Sequence, residues 1–321
     1  MHIMLIDAGG TISSIPDADG RLVGADGGLG TGATGIAPFK RQQVYAGLSE
    51  EMSLADMAAV RDAVLAAVAD PDVGGVIVAH GTDAMEETAF LTDLSLPATK
   101  PVIFTGAMLP LTQADSDGAR NLADAMRAAS DSALAECGVL VCFGGHLIPA
   151  GQVYKHSSTA IDGFGWRSGD AGWLDPARII APPRIARAAP LPAALPANTC
   201  PVIAISGGDD GWMIDAAVAH GARALVLMAL GRGNASERAC AATARAVAAG
   251  VPVVIASRCP TGGTAGDYAT GQRLAGAGAL FAGDLGPTQA RILLSCLLAL
   301  DATPRTIAAE IARRAHFSRI G

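Results

Sequence analysis

The sequence predicts an α/β protein built as two three-layer domains with mainly parallel sheets, a larger N-terminal one and a smaller C-terminal one. Three observations predict it. Short β-branched apolar runs alternate with Gly-containing turns and stretches of helical period along the 321 residues, as repeated βα units require. The chain is longer than one hydrophobic core comfortably fills, and half its residues are apolar, enough for two cores. Aromatic residues make up only 4% while glycine and alanine abound, which suits close packing of helices on a sheet better than a β-sandwich.

Taken in order, the strand candidates are Ile3–Ile6, Val76–Ala79, Val102–Thr105 and Val139–Phe143, then Val202–Ser206, Leu225–Ala229 and Val253–Ser257. Each is short and apolar up to its last residue, as parallel strands covered on both faces should be. Between them, Met57, Val60, Val64 and Val68 fall three and four residues apart, so Asp56–Ala69 reads as an amphipathic helix. Ser53 and Asp56 resemble a capping box at its start. The same spacing predicts helices over Asn121–Leu134, Glu237–Ala249, Thr288–Leu300 and Thr306–Arg314.

Ala181–Pro201 is rich in proline and can neither continue a helix nor form a central strand. The expected division is therefore an N-terminal domain over 1–185, a linker over 186–200 and a C-terminal domain over 201–321. Gly20–Gly35 reads as a mobile glycine-rich loop after the first strand.

A formal charge of −7 with no Lys/Arg block argues against nucleic acid or an anionic membrane as partner, leaving a small molecule. The start Met-His-Ile-Met-Leu-Ile-Asp lacks the basic and long apolar parts of a secretory signal, and no apolar run reaches membrane-spanning length. A cytoplasmic protein is expected. The six cysteines are scattered with no C-x-x-C, and the six histidines show no H-x-x-x-H, so neither a disulfide framework nor a metal site is expected, and no cofactor.

Ligands of open α/β sheets gather at the carboxyl ends of the strands, so those ends are the place to look for chemistry. The first carries Asp7-Ala8-Gly9-Gly10-Thr11, where two glycines let the backbone turn sharply and present a hydroxyl. Gly-Gly-Thr alone can equally be a plain turn, and it lacks the Lys-Ser/Thr of a phosphate loop. The second carries His80-Gly81-Thr82-Asp83, a hydroxyl beside a carboxylate where a helix begins and free N–H groups can hold developing negative charge. Asp83 could instead be an ordinary N-cap, and His80 a structural histidine. A threonine nucleophile needs an activating base, and Lys155 in Tyr154-Lys155-His156-Ser157-Ser158-Thr159 is the candidate, one of only three lysines in the chain. His80 and His156 stand next in line.

The segments Asp7–Ser13, Gly75–Leu91, Lys100–Asn121, Gly138–Phe164 and Ala224–Thr264 resemble, in order, the blocks of the bacterial L-asparaginase/glutaminase family. The runs Ala79–Thr88 and Lys100–Met108 are the specific ones. The resemblance implies an amidohydrolase that opens the side-chain amide of asparagine through a threonine acyl-enzyme, with the site in the N-terminal domain. It further implies a homo-oligomer, dimer or tetramer, whose sites are completed at the subunit interface. Thr11 matches the family's nucleophile, and Thr82, Asp83 and Lys155 match its second, rigid group. Which threonine attacks first does not follow from the residues; the resemblance favours Thr11. By the same resemblance Ser49 contacts the substrate carboxylate, Asp83 also contacts its amino group, and Asn234 approaches from the C-terminal domain.

Two substrate-facing positions depart from the family pattern: Arg21 stands where the loop tyrosine is usual, and Glu50 where the substrate-binding glutamine is usual. The acidic residue usually lent by a neighbouring subunit is not evident around Asp267–Gln272. The hydrolytic residues are intact while the recognition ring is altered, so glutamine or another small amide is the alternative substrate. A non-catalytic binding protein is a second alternative, opposed by the intact Thr11, Thr82, Asp83 and Lys155. A tRNA-dependent amidotransferase subunit is a third; such chains carry an extra N-terminal module, whereas here the first catalytic strand starts at His2–Ile3, and no basic surface is expected.

Overall fold

A computed structural model describes residues 1–10, 14–16, 22–24, 39–110, 112–175, 177–184 and 186–316. By internal packing, the described residues of 1–166 and 170–185 form one compact unit and those of 167–169 and 186–318 the other. Both are α/β and mainly parallel.

In the first unit the strands in chain order are β1 (His2–Ala8), β2 (Ser14–Pro16), β3 (Leu22–Gly24), β4 (Phe39–Tyr45), β5 (Val73–His80) and β6 (Val102–Thr105). They continue with β7 (Val139–Phe143), β8 (His146–Pro149), β9 (Val153–Lys155), β10 (Phe164–Trp166), β11 (Gly172–Leu174) and β12 (Ile179–Ile180). The main sheet has the order β12-β11-β8-β7-β6-β5-β1-β4. Its half from β4 to β7 is parallel, and β8, β11 and β12 are added antiparallel. The Gly20–Gly35 loop lies mostly outside the described residues; within it, Leu22–Gly24 pairs antiparallel with Ser14–Pro16.

Helices α1 (Leu54–Ala69) and α2 (Met85–Ser95) lie together, and α3 (Gly118–Ala129) covers the other face. Alternation along each strand separates the two cores: Ile77 and Ala79 of β5 join Ile103, Leu140, Leu122 and Met126 beneath α3, while Val76 and Val78, equally buried, face the opposite layer. At the start of α1 the Ser53–Asp56 capping box is formed in both directions. The helix expected over Asn121–Leu134 is shorter, ending at Ala129, because Asp131 turns its carboxylate to the Ala133 N–H at 3.0 Å and starts a separate 3-10 turn over Ser132–Cys137.

The second unit carries a four-stranded parallel sheet, β13 (Val202–Ala204), β14 (Leu225–Ala229), β15 (Val253–Ser257) and β16 (Leu280–Phe281), in that order. Helices α4 (Trp212–Ala219), α5 (Glu237–Ala248) and α6 (Ala269–Gly276) share one core with it, and α7 (Pro287–Ala299) packs on β13, β14 and β15, with α8 (Pro304–Arg314) beside it. The strand expected to reach Ser206 ends at Ala204, although the Ile205 N–H still bonds to the Met228 carbonyl at 3.0 Å. Between Ile180 and Val202 the described residues form neither helix nor strand. No described helix is long and apolar enough to cross a membrane. The six cysteines are free thiols, four of them buried.

Candidate active site

Two parallel strand ends and one loop converge in the first unit. After β1 the chain turns at Gly9 and Gly10, both at positive φ, +71° and +82°. A Cβ on Gly10 would stand 2.1 Å from Gly81 Cα, and one on Gly81 would stand 2.6 Å from Ser49 Oγ. Only glycine allows these backbones to touch. The Gly10 N–H then donates to the Gly47 carbonyl at 3.1 Å, which brings the Gly47–Ser49 segment against the same turn.

Ser49, 3% exposed, opens a short 3-10 turn, Ser49–Glu51, and its Oγ accepts from the Asp83 N–H at 3.2 Å. Thr82 is 7% exposed. Lys155 ends β9, paired antiparallel with β10, and its side chain returns to the β5 end. Its Nζ donates to Thr82 Oγ1 at 2.8 Å and to Asp83 Oδ1 at 2.5 Å. Asp83 is not a helix cap: the N-cap of α2 is Ala84, which leaves the carboxylate to Lys155. Residues 73 positions apart thus form one hydroxyl–ammonium–carboxylate cluster.

The cluster borders a cavity of about 330 Å³ lined by Gly10, Leu48, Ser49, Glu50, Gly81, Thr82 and Asp83, room for a ligand of amino-acid size. Glu50 and Asp83 both belong to its wall. His80 does not. It is fully buried, bonded through Nδ1 to the Gly81 carbonyl at 2.7 Å, and burial pushes its imidazole down from the ordinary 6.5 to about 4. His156 is also turned away, its Nε2 meeting the Asp162 carbonyl at 2.9 Å. Among the described residues no group of three or more His, Cys, Asp or Glu side chains is arranged to hold a metal ion.

The structure brings Ser49, Glu50, Thr82, Asp83 and Lys155 together. Thr11 and Arg21 lie outside the described residues. Asn234 is in the second unit, where its Oδ1 accepts from the Thr270 hydroxyl at 3.0 Å. One contributor has no signal in the sequence beyond its place at a strand end. The hydroxyl of Tyr45 donates to the Leu48 carbonyl at 3.1 Å and so holds the loop that carries Ser49. Burial, and then the negative charges of Asp56, Glu51 and Glu50, raise that phenol above its ordinary range.

Fold and site together are those of a two-domain α/β protein with a hydroxyl–ammonium–carboxylate cluster beside a cavity of amino-acid size. The asparaginase N-terminal family model matches residues 2–178, and the glutaminase/asparaginase C-terminal domain model matches residues 201–310. The chain belongs to the asparaginase family. It is 35% identical, over 318 residues and 95% of each chain, to a Deinococcus radiodurans protein named "Probable L-asparaginase". Its fold is similar to the thermostable L-asparaginase from Thermococcus kodakarensis, with a TM-score of 0.87 at 23% identity and complete coverage of both chains. It is also similar to the "Probable Cytoplasmic L-asparaginase" of Campylobacter jejuni, with a TM-score of 0.83 at 25% identity and coverage of 97% and 98%.

Proposed function

We propose that this chain hydrolyses the side-chain amide of L-asparagine to L-aspartate and ammonia through a threonine acyl-enzyme. The observation that carries the reading is the bonding of Lys155 Nζ to both Thr82 Oγ1 and Asp83 Oδ1 on the wall of an amino-acid-sized cavity. Membership of the asparaginase family, and a relative of nearly equal length bearing that activity in its name, supply the substrate.

Thr11, which follows the lining residue Gly10 directly, is the nucleophile, and Thr82, Asp83 and Lys155 are the proton-handling group. In its neutral form the Lys155 amine accepts the Thr82 hydroxyl proton through the 2.8 Å contact, Asp83 balancing the resulting ammonium, and Thr82 in turn takes up the proton that the Thr11 hydroxyl gives up as it attacks. The threonine oxygen bonds to the amide carbon, and backbone N–H groups hold the oxyanion. The C–N bond then breaks as its nitrogen takes up the proton and leaves as ammonia, and water opens the ester to regenerate threonine. The Ser49 Oγ already accepts from the Asp83 N–H, so its own proton is available to the substrate carboxylate. Asp83 and Glu50 face the amino group. Two carboxylates there favour a cation between them. Arg21 pairing with Glu50 keeps ordinary asparagine as substrate; without that pairing, an amide richer in positive charge fits better.

The site belongs to an N-terminal domain over 1–185, joined by a linker over 186–200 to a C-terminal domain over 201–321. The protein works in the cytoplasm as a homo-oligomer, dimer or tetramer, with its sites at the subunit interface, and sedimentation analysis checks that state. The function itself is tested by following ammonia release from asparagine, glutamine, their D-isomers and simple amides. Asparagine turned over fastest supports the reading; release from none of them would end it.

A further inference from the structure

Asp7 lies in β1, fully buried, two residues before the Gly9–Gly10 turn. Carrying a carboxylate into a sheet interior is costly unless it is paired and hydrogen-bonded. Asp7 has both kinds of partner. Its Oδ1 accepts from the Gly9 N–H at 3.0 Å, and its Oδ2 pairs with the Arg41 guanidinium. Arg41 comes from the neighbouring edge strand β4, where the parallel register sets Leu5 against Arg41 and Asp7 against Gln43, so the guanidinium reaches two places along the ladder. That register slips between Asp7 and Ala8, just where the turn begins.

The pair is buried on the Asp7 side only, Arg41 reaching solvent, and such a pair seldom stabilises a fold more than a packed apolar residue would, so stability alone gives little reason for it. What an apolar residue cannot do is accept from Gly9 and hold β4 at once. From β4 the chain runs on through Gly47, whose carbonyl takes the Gly10 N–H at 3.1 Å, to Ser49 and Glu50 on the cavity wall. Asp7 is therefore bonded to the turn that precedes Thr11 and to the strand that leads to the substrate-contacting residues. Resting on the function proposed above, we infer that Asp7, anchored by Arg41, is a positioning residue that sets the Gly9–Gly10 turn and with it the placement of Thr11 against the bound amide. It acts through the Gly9 peptide; both of its oxygens are engaged within the fold.

The test compares Asp7→Leu, which fills the space without an acceptor, with Asp7→Asn, whose amide oxygen can still accept from Gly9. Arg41→Gln, on a largely exposed edge strand, guards against a core variant that fails to fold. Each is measured for kcat and KM and for hydrogen exchange in the segment spanning residues 7–13. Asp7→Leu should lower kcat by about 100-fold, the cost of a nucleophile displaced by about an ångström, with KM changed less than about threefold. Exchange at Gly9 should accelerate while the rest of β1 is unchanged. Asp7→Asn should recover most of the kcat and the protection, and Arg41→Gln should show the same kcat-selective loss in weaker form. Wild-type exchange and kcat in Asp7→Leu, or Asp7→Asn no better than Asp7→Leu at equal thermal stability, overturns the inference. If Asp7→Leu does not fold, Arg41→Gln with unaltered kcat and exchange overturns it as well. Should the wild-type protein release no ammonia from any amide, the functional reading fails by itself, and the exchange comparison still decides what Asp7 does to the turn.

Discussion

Replacing Lys155 separates the chemistry from the fold. In Lys155→Met the stem of the side chain survives and the amine is lost, and with it the contacts to Thr82 Oγ1 at 2.8 Å and Asp83 Oδ1 at 2.5 Å. The Asp83 side chain is 55% exposed, so water takes over its charge and the ion pair contributes at most about 1 kcal/mol to stability. A positioned proton acceptor is worth far more to the reaction, typically 10²–10⁴-fold, or roughly 3–5 kcal/mol of barrier. Lys155→Met should thus lose that much in kcat/KM while its thermal midpoint moves by no more than about 4 °C. Lys155→Arg is the companion. It keeps the positive charge beside Asp83, but a guanidinium does not give up its proton, so activity should stay low. Ammonia release and thermal unfolding, measured on the same preparations, give both numbers. Activity within about tenfold of wild type in Lys155→Met would refute a proton-transfer role, and full activity in Lys155→Arg would reduce the residue to a source of charge.

Gly10→Ala should be nearly inactive: its Cβ would stand 2.1 Å from Gly81 Cα, and two backbone segments of the site must part by about an ångström, which costs on the order of 100-fold in turnover. A fully active Gly10→Ala would mean that these segments are not in contact in solution. His80, held down to about 4 against an ordinary 6.5, remains neutral in the folded protein while the unfolded chain takes up its proton. Stability should therefore fall as pH drops from about 6.5 towards about 4 and level off below, with a full amplitude on the order of 3 kcal/mol. Urea unfolding of wild type and His80→Gln at pH 7 and pH 5 checks this, because their difference must shrink at the lower pH. Glu50→Gln, Arg21→Tyr and the double variant form a cycle on asparagine; pairing of the two side chains requires the double variant to be more active than the summed single effects, and strict additivity would deny it.

Much of this architecture is legible in the sequence because a strand covered on both faces must be apolar along nearly all its length. β6, β7, β14 and β15 all show it, with only the last residues Thr105 and Ser257 polar, and lie where expected. Other elements are harder to read for physical reasons. Helix α2, expected only as a beginning after Asp83, buries Thr88, Thr92 and Ser95 among its apolar residues, so polar and apolar positions do not separate cleanly into two faces. Strand β4 is an exposed sheet edge whose Lys40, Arg41, Gln42 and Gln43 make no apolar run. In the site, Thr82 and Asp83 are legible as chemistry at a strand end. Lys155 is legible as a candidate base from its rarity and its hydroxyl neighbours, but no spacing rule places it against residues so far away; the family resemblance supplies that grouping. Tyr45 and Asp7 are invisible for another reason: each does its work on a backbone atom, Leu48 O and Gly9 N, that any sequence would supply.

The central claim, that this chain opens asparagine with a threonine hydroxyl, is tested most directly by one comparison. Purified wild type and Thr11→Ala are given L-asparagine, and aspartate and ammonia are counted together. The account predicts equal amounts of the two products from wild type and a loss of several orders of magnitude in Thr11→Ala, whose melting temperature stays unchanged. Undiminished turnover in Thr11→Ala, or no ammonia from wild type, would contradict it.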